Sequence, residues 1–321
     1  MPRVTRRSLM AGAMLSAAAT ALPKPAAANA PPAVRQAASI YRYKIGEFEM
    51  TAIYDGVWTR PIDEKFVRNA PLEEVQKALA DAFLPEDQLP IPVTALLVNT
   101  GSKLVLLDTG TAGQLAPTAG IMTANLAAAG VDPKSVDVIV ISHFHPDHIN
   151  GIKTKDDELV FANAEILVPA PEWAFWMDDA RMPPQGLKGY FLNARRIFGN
   201  IAKDVGRYEP GQEVAPGITA IAAYGHTPGH TAFAVASANQ SLLVLSDTTN
   251  HPWLFVKNPE WQASFDMDGT MAVDTRRKLL DRAAADRMLV QGYHFPFPAS
   301  GHIGRDGKGY HFVPVMWQPS L

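Results

Sequence analysis

Four residues able to bind divalent cations fall within six positions of one another: His143, His145, Asp147 and His148, in the run Ile139-Val140-Ile141-Ser142-His143-Phe144-His145-Pro146-Asp147-His148-Ile149-Asn150-Gly151. The apolar stretch before them reads as a buried strand ending at Ser142, so the four side chains leave a strand end together. In such a loop His143 and His145 can point one way while Asp147 and His148 turn toward a second centre. Three imidazoles and a carboxylate this close would be poorly solvated and would repel one another on protonation. A divalent cation resolves the conflict, and both residue types suit zinc and its neighbours. The chemistry such a centre supports is hydrolysis by activated water. The chain of 321 residues has no Cys, which removes thiolate metal sites, iron–sulfur clusters and a Cys nucleophile. It also lacks a G-x-S-x-G elbow for a Ser nucleophile. All nine His lie at or after position 143.

The elements that must position these residues follow from apolar periodicity. Strands are predicted at 48–54, 93–99, 103–108, 136–142, 165–168, 218–223, 231–236, 241–246 and 287–291, and helices at 72–83, 121–129, 192–204 and 273–287. In the last helix Val273, Leu279, Leu280 and Ala283 can share an apolar face, with Arg276, Arg277 and Lys278 mostly off it. Strands first, then alternation of strand and helix, argues for an α/β sandwich. Two strands echo each other by delivering an Asp at the C-terminal end, Asp108 after 103–107 and Asp247 after 241–246. Strand C-terminal ends are where α/β folds place their sites.

The motif His143-x-His145-x-Asp147-His148 resembles the metal-binding motif of the metallo-β-lactamase superfamily. Other segments resemble that family in order: 104–110, ending in Asp-x-Gly; Gly225-His226-Thr227-Pro228-Gly229-His230-Thr231; Ser246-Asp247-Thr248; and His294 after the strand at 288–291. The resemblance, over residues 45 to 321, implies a four-layer αβ/βα sandwich with two divalent metal ions. Zinc comes first among the candidate metals, with manganese, cobalt and iron as alternatives. Carried over position by position, it implies His143, His145 and His230 at one metal, Asp147, His148 and His294 at the other, and Asp247 bridging. A metal-bridging hydroxide would attack the substrate, with Asp147 and Asp247 the catalytic carboxylates. Asp108 and His226 are expected to support the ligands from behind, since His226 and His230 cannot easily face one centre across a Thr-Pro-Gly turn. His302 is the rival of His294 for the last ligand position.

Within the superfamily, Asp247 stands where zinc β-lactamases of the commonest type have Cys, which disfavours β-lactam hydrolysis. No basic cluster suits the glutathione carboxylates of a glyoxalase II-like thioesterase. Rings follow the ligand segments, among them Trp173, Phe175 and Trp176, then Trp253, Phe255, Trp261 and Phe265, then Phe295 and Phe297. Apolar walls suit a small uncharged substrate, with Trp176, His251, Trp253 and Phe295 as candidate lining. The expected activity is hydrolysis of small apolar esters or lactones. The alternative is organophosphate triester hydrolysis, since 294–302 and 309–315 resemble the methyl parathion hydrolase branch, close to the quorum-quenching lactonases. Asn250, where many lactonases have Tyr, weighs against acyl-homoserine lactones. A non-catalytic metal-binding protein is the reading from another class, disfavoured by the complete set of seven ligands.

Residues 1–30 read as an export signal: Arg3, Arg6, Arg7 and Lys24, no acidic residue, an uncharged stretch at 8–22 and small residues at 26–30. Thr5-Arg6-Arg7-Ser8-Leu9 resembles the twin-arginine pattern, which implies a periplasmic or secreted bacterial protein. The expected mature chain is one hydrolase domain over 31–321. Without the leader, 25 Lys and Arg face 32 Asp and Glu, a net charge of −7. Nucleic acid is an unlikely partner for such a chain, no long apolar run remains to hold it in a membrane, and a homodimer is implied by the resemblance alone.

Overall fold

The computed structural model describes residues 36–321, and the fold is built by the unit Ala38–Leu321. The expected export signal lies outside the described residues. Two seven-stranded sheets carry the fold. The first is built in chain order from β1 (Ile40–Ile45), β2 (Phe48–Pro61), β3 (Gln88–Asn99), β4 (Leu104–Leu107), β5 (Val138–Val140), β6 (Glu165–Pro169) and β7 (Val205–Tyr208). Strands β1 to β4 are antiparallel and β4 to β7 parallel. The second sheet runs from β8 (Glu213–Ala215) through β9 (Ile218–Ala222), β10 (Thr231–Ser237), β11 (Gln240–Ser246), β12 (Leu289–Gly292) and β13 (Ser300–Asp306) to β14 (Gly309–Pro314), with one parallel pair, β11 and β12.

Alternation along the central strands explains the layering. Val105, Leu107, Val138 and Val140 face Phe233, Val235, Leu242 and Val244 across the gap between the sheets. Their neighbours Leu106, Ile139 and Ile141 point the other way, against Leu126, Phe191, Ile197 and Phe198 on helices. On the outer face of the second sheet, Leu243 and Leu245 meet Leu279, Leu280 and Ala283. A strand buried on both faces reads as a continuous apolar run, which is why these strands are legible in sequence. The helices are α1 (Leu72–Asp81), α2 (Met122–Ala128), the single turn α3 (Pro146–Ile149), α4 (Ala170–Trp176), α5 (Lys188–Phe198) and α6 (Gly269–Ala285). The layers are thus helix, sheet, sheet, helix, the expected αβ/βα sandwich. Among the described residues no helix is long and apolar enough to cross a membrane.

Three expectations need correction. Helix α5 covers residues 188–198 rather than 192–204, because the chain tightens into a 3-10 turn at Gly199–Ile201. Strands β1, β7, β8, β13 and β14 fall outside the predicted set; β1 and β14 are edge strands with interrupted burial, so their apolar signal is weak. Arg276 lies on the buried face of α6, three and four positions before Leu279 and Leu280, and is 1% exposed. Its guanidinium reaches the carbonyls of Thr248, Pro259 and Trp261 and ion-pairs with Asp266 at 3.1 Å. A buried cation satisfied on several sides is tolerated where an unpaired one is not.

Candidate metal centre

The site lies where β4, β5, β11 and β12 end, on one edge of both sheets. Two of these exits leave the strand through a residue in the left-handed region, Asp108 (φ 59°) and Ser246 (φ 46°), which turns the chain out of the strand sharply. Gly151 closes the motif because the loop passes against Thr109: a Cβ there would overlap the Thr109 carbonyl. Asp108 ties the exits together. Its carboxylate accepts the Ser142 N–H and hydroxyl at 2.7 Å each and faces His148 Nδ1 at 2.8 Å.

Four imidazoles are oriented by what the outer nitrogen touches. His148 Nδ1 donates to Asp108, His294 Nδ1 donates to the Pro92 carbonyl at 2.7 Å, and His226 Nδ1 donates to Asp266 at 2.9 Å. His143 Nδ1 donates to the Ser142 hydroxyl at 3.0 Å, because that hydroxyl's own proton goes to Asp108. Every such bond leaves Nε2 as the nitrogen that faces inward. The inward atoms converge on Asp247. His294 Nε2 is 3.1 Å from Oδ2, His226 Nε2 is 3.4 Å from Oδ2, and His148 Nε2 is 3.3 Å from Oδ1. Asp147 Oδ2 lies 3.3 Å from His294 Nε2 and 3.5 Å from His148 Nε2, and His145 Nδ1 lies 2.9 Å from His226 Nε2. Three of these buried atoms, His143 Nε2, His148 Nε2 and Asp247 Oδ1, have no hydrogen-bond partner. A buried polar atom left so costs about 1–3 kcal/mol, and a cation among them removes that cost. Donor atoms close enough to share an ion occur in three sets: His143, His145, His226; Asp147, His148, His294; and His143, His148, Asp247, which joins the other two.

His230 departs from its expected place. It is fully buried, but its Nδ1 donates to the Ala223 carbonyl at 2.8 Å and its Nε2 accepts the Asp247 backbone N–H at 3.0 Å. With both ring nitrogens engaged by backbone, it has no lone pair to offer an ion. His226, expected behind the ligands, supplies the inward nitrogen instead, and His230 positions the strand exit that carries Asp247. His302 is exposed on β13 and bonds the Met288 carbonyl, far in register from the site, so His294 has no rival there.

Charge in the cluster is shared unevenly. Burial holds His143 well below its ordinary value and, with neighbouring imidazoles, brings His145 to about 3. Burial also opposes charge on His294, but Asp247 and Asp147 outweigh it and lift that ring to about 10. For Asp147 burial is likewise outweighed, here by His148 and His294, which lower its carboxyl to about 2. His294 therefore stabilises the metal-free fold fully below pH 6.5, and the contribution is lost as pH rises through 10. The melting temperature of chelated protein is expected to fall from pH 6.5 to pH 10, and metal-loaded protein should not follow it. Equal pH profiles for the two would contradict this.

Several residues that build the site gave no sequence signal. Tyr293 stacks on His148 with ring centroids 3.9 Å apart and donates its hydroxyl to the Asp147 carbonyl at 2.6 Å. Glu172 on α4 is fully buried and accepts from Phe144 N, Gly229 N and Trp176 Nε1 at 2.9, 2.6 and 2.7 Å. It fastens the 143–148 loop to the 226–230 loop. Glu172→Ala is expected to destabilise the protein by about 3 kcal/mol or more, since three buried donors lose a charged acceptor. Chemical denaturation would test this, and a loss below about 1 kcal/mol would contradict it.

The cleft over the centre is lined by Trp58, Arg60, Ile91, Leu115, Tyr190 and Phe265, besides Asn250 and the ligand side chains. None of the four expected lining residues is among them: Trp176 and Phe295 are fully buried in the core, and His251 and Trp253 pack on each other with ring centroids 5.1 Å apart.

Residues 89–290 match the Metallo-beta-lactamase superfamily, and the chain belongs to it. It is a hydrolase of that superfamily. Among solved structures, it is similar to AidC, a dizinc quorum-quenching lactonase in complex with a product N-hexnoyl-L-homoserine. That likeness has a TM-score of 0.82 and 26% identity over 87% of this chain and 98% of the other. It is equally similar to the hydrolase AbOPH in the beta lactamase superfamily, with a TM-score of 0.82 and 28% identity over 88% of this chain and all of the other. A curated relative is an N-acyl homoserine lactonase from Bacillus sp, 22% identical over 228 residues, spanning 64% of this chain and 82% of the relative.

Proposed function

We propose that the protein is a two-metal hydrolase of small esters and lactones. One metal would be held by His143, His145 and His226, the other by Asp147, His148 and His294, with Asp247 between them. The observation that carries this reading is the convergence of inward imidazole nitrogens on Asp247, with His143 Nε2, His148 Nε2 and Asp247 Oδ1 left without a hydrogen-bond partner. Zinc is the proposed metal, because imidazole and carboxylate donors suit it and AidC is a dizinc enzyme. When bound, two divalent cations supply Lewis acidity at the bond under attack and a lowered pKa for the attacking water.

The chain's own residues do the rest. Asp247 touches both donor groups, so it sets their separation, and His230 fixes its backbone. Asp147 adds a second carboxylate beside His294, so negative charge at the centre is balanced and the buried imidazoles stay oriented. Trp58, Ile91, Leu115 and Phe265 form apolar walls that hold the organic part of a substrate and exclude water. Among the described residues, the cleft lining holds no Ser, Thr or Lys, in keeping with water as the attacking group.

The experiment is a turnover comparison of zinc-loaded protein on an aliphatic lactone, an aryl lactone, an acyl-homoserine lactone and an aryl phosphotriester. Greater kcat/KM on a lactone than on the phosphotriester is expected. Preference for the phosphotriester would replace this substrate class, and turnover of none of the four would overturn the reading.

A further inference from the structure

Arg60 is a cation at the reaction cleft that the mechanism above does not use. Its placement is set by a bulge. Tyr54 pairs with Thr94 and Gly56 with Val93, leaving Asp55 as an extra residue in β2. One inserted residue reverses which side chains face which way along the rest of a strand. Beyond the bulge Trp58 and Arg60 share a face, Ile91 sits opposite Trp58, and all three line the cleft. The bulge is built into the sequence. Gly56 has φ 136°, and a Cβ there would overlap the Thr118 carbonyl and Ala119. Asp55 accepts Thr111 N and Oγ1 at 2.8 and 2.7 Å and Met122 N at 3.0 Å.

The Arg60 guanidinium lies 4.9 Å from the Trp58 ring centroid. Among the described residues, the arginines that form ion pairs include neither Arg60 nor Arg68. Both border a second cleft that adjoins the first and shares Arg60, His145, Tyr190 and Phe265 with it. Arg68 gives one N–H to the Ser264 carbonyl and is otherwise exposed. The carboxylate on this wall, Asp266, is committed to His226 and Arg276. The extension therefore has apolar walls at Leu187, Phe265 and Met267 and two cations with no carboxylate of their own.

We infer that this extension is a subsite for a carboxylate carried by the substrate, with Arg60 as the residue that selects it. The inference rests on the ester-hydrolase reading and names the substrate class within it: esters or lactones bearing a carboxylate a few carbons from the bond that is cleaved. A guanidinium stacked on an indole is held flat, keeps its outward N–H groups free, and matches a carboxylate with two parallel hydrogen bonds. Arg68 adds charge at the solvent end.

Two esters with one leaving group test it on the zinc-loaded enzyme: mono-4-nitrophenyl glutarate, which carries the carboxylate, and 4-nitrophenyl butyrate, which does not. The ratio of their kcat/KM values is expected to favour the glutarate ester. Arg60→Met should lower that ratio about tenfold, mainly through KM for the glutarate ester, and Arg60→Lys should restore part of it. The ratio for the unaltered enzyme should also fall as salt is raised, which needs no variant at all. Hydrolysis of both esters with a ratio that Arg60→Met and salt leave unchanged would overturn the inference and leave the hydrolase reading standing. Hydrolysis of neither would overturn both.

Discussion

Asp247→Ala should lower kcat/KM by about a thousandfold or more, with metal content falling below two ions per chain. The size of the effect follows from position. Asp247 Oδ2 lies 3.1 Å from His294 and 3.4 Å from His226, and Oδ1 lies 3.3 Å from His148, so one carboxylate touches donors of both groups. Removing it separates the two groups and leaves imidazole nitrogens facing one another in a buried site. The fold should survive, because the strands that deliver these residues are held by the apolar layers between and outside the sheets. Metal analysis, circular dichroism and kinetics on the same sample test the claim. A folded variant with two ions and near-normal turnover would contradict it.

The second large effect separates two histidines that lie four residues apart. His226→Ala should lose metal and lower kcat/KM by at least about a hundredfold, because it removes an inward nitrogen and strands the Asp266–Arg276 pair behind it. His230→Gln should keep two ions per chain and lose about tenfold, the usual scale for a residue that positions a ligand. Its ring holds the Asp247 N–H and the Ala223 carbonyl, and Gln can replace part of that bonding. The opposite result, metal loss in the His230 variant and retention in the His226 variant, would reassign the ligand.

This pair also shows what the sequence could and could not tell. In Gly225-His226-Thr227-Pro228-Gly229-His230 both histidines precede or follow the same kind of tight turn, and residue type alone does not say which ring faces inward. The decision is made by a carbonyl at Ala223 and an N–H at Asp247, which lie on other elements and become neighbours when β9, β10 and β11 pair. Residues 143–148 were legible because the four side chains are contiguous and follow a strand whose apolar run is unmistakable. The alternation of Val105, Leu106 and Leu107, or of Leu242, Leu243 and Val244, was legible for the same local reason.

The cleft was not legible. Trp58, Ile91, Leu115, Tyr190 and Phe265 come from separate elements, and nearness in sequence to a ligand pointed instead to Trp176, Trp253 and Phe295. Trp176 instead sits at the end of α4 and Phe295 packs against Phe312, both fully buried. Arg276 was not legible: the sequence reading sets it mostly off the apolar face, and its burial depends on carbonyls of Thr248, Pro259 and Trp261 and on Asp266, which lie outside its helix.

The most direct test of the two-metal centre is crystallography of the zinc-loaded protein with anomalous scattering at the zinc edge. Two peaks per chain are expected, with Asp247 between them, His226 Nε2 on the His143–His145 side and His230 Nε2 still on the Asp247 N–H. A single peak, or a peak bound by His230, would contradict it.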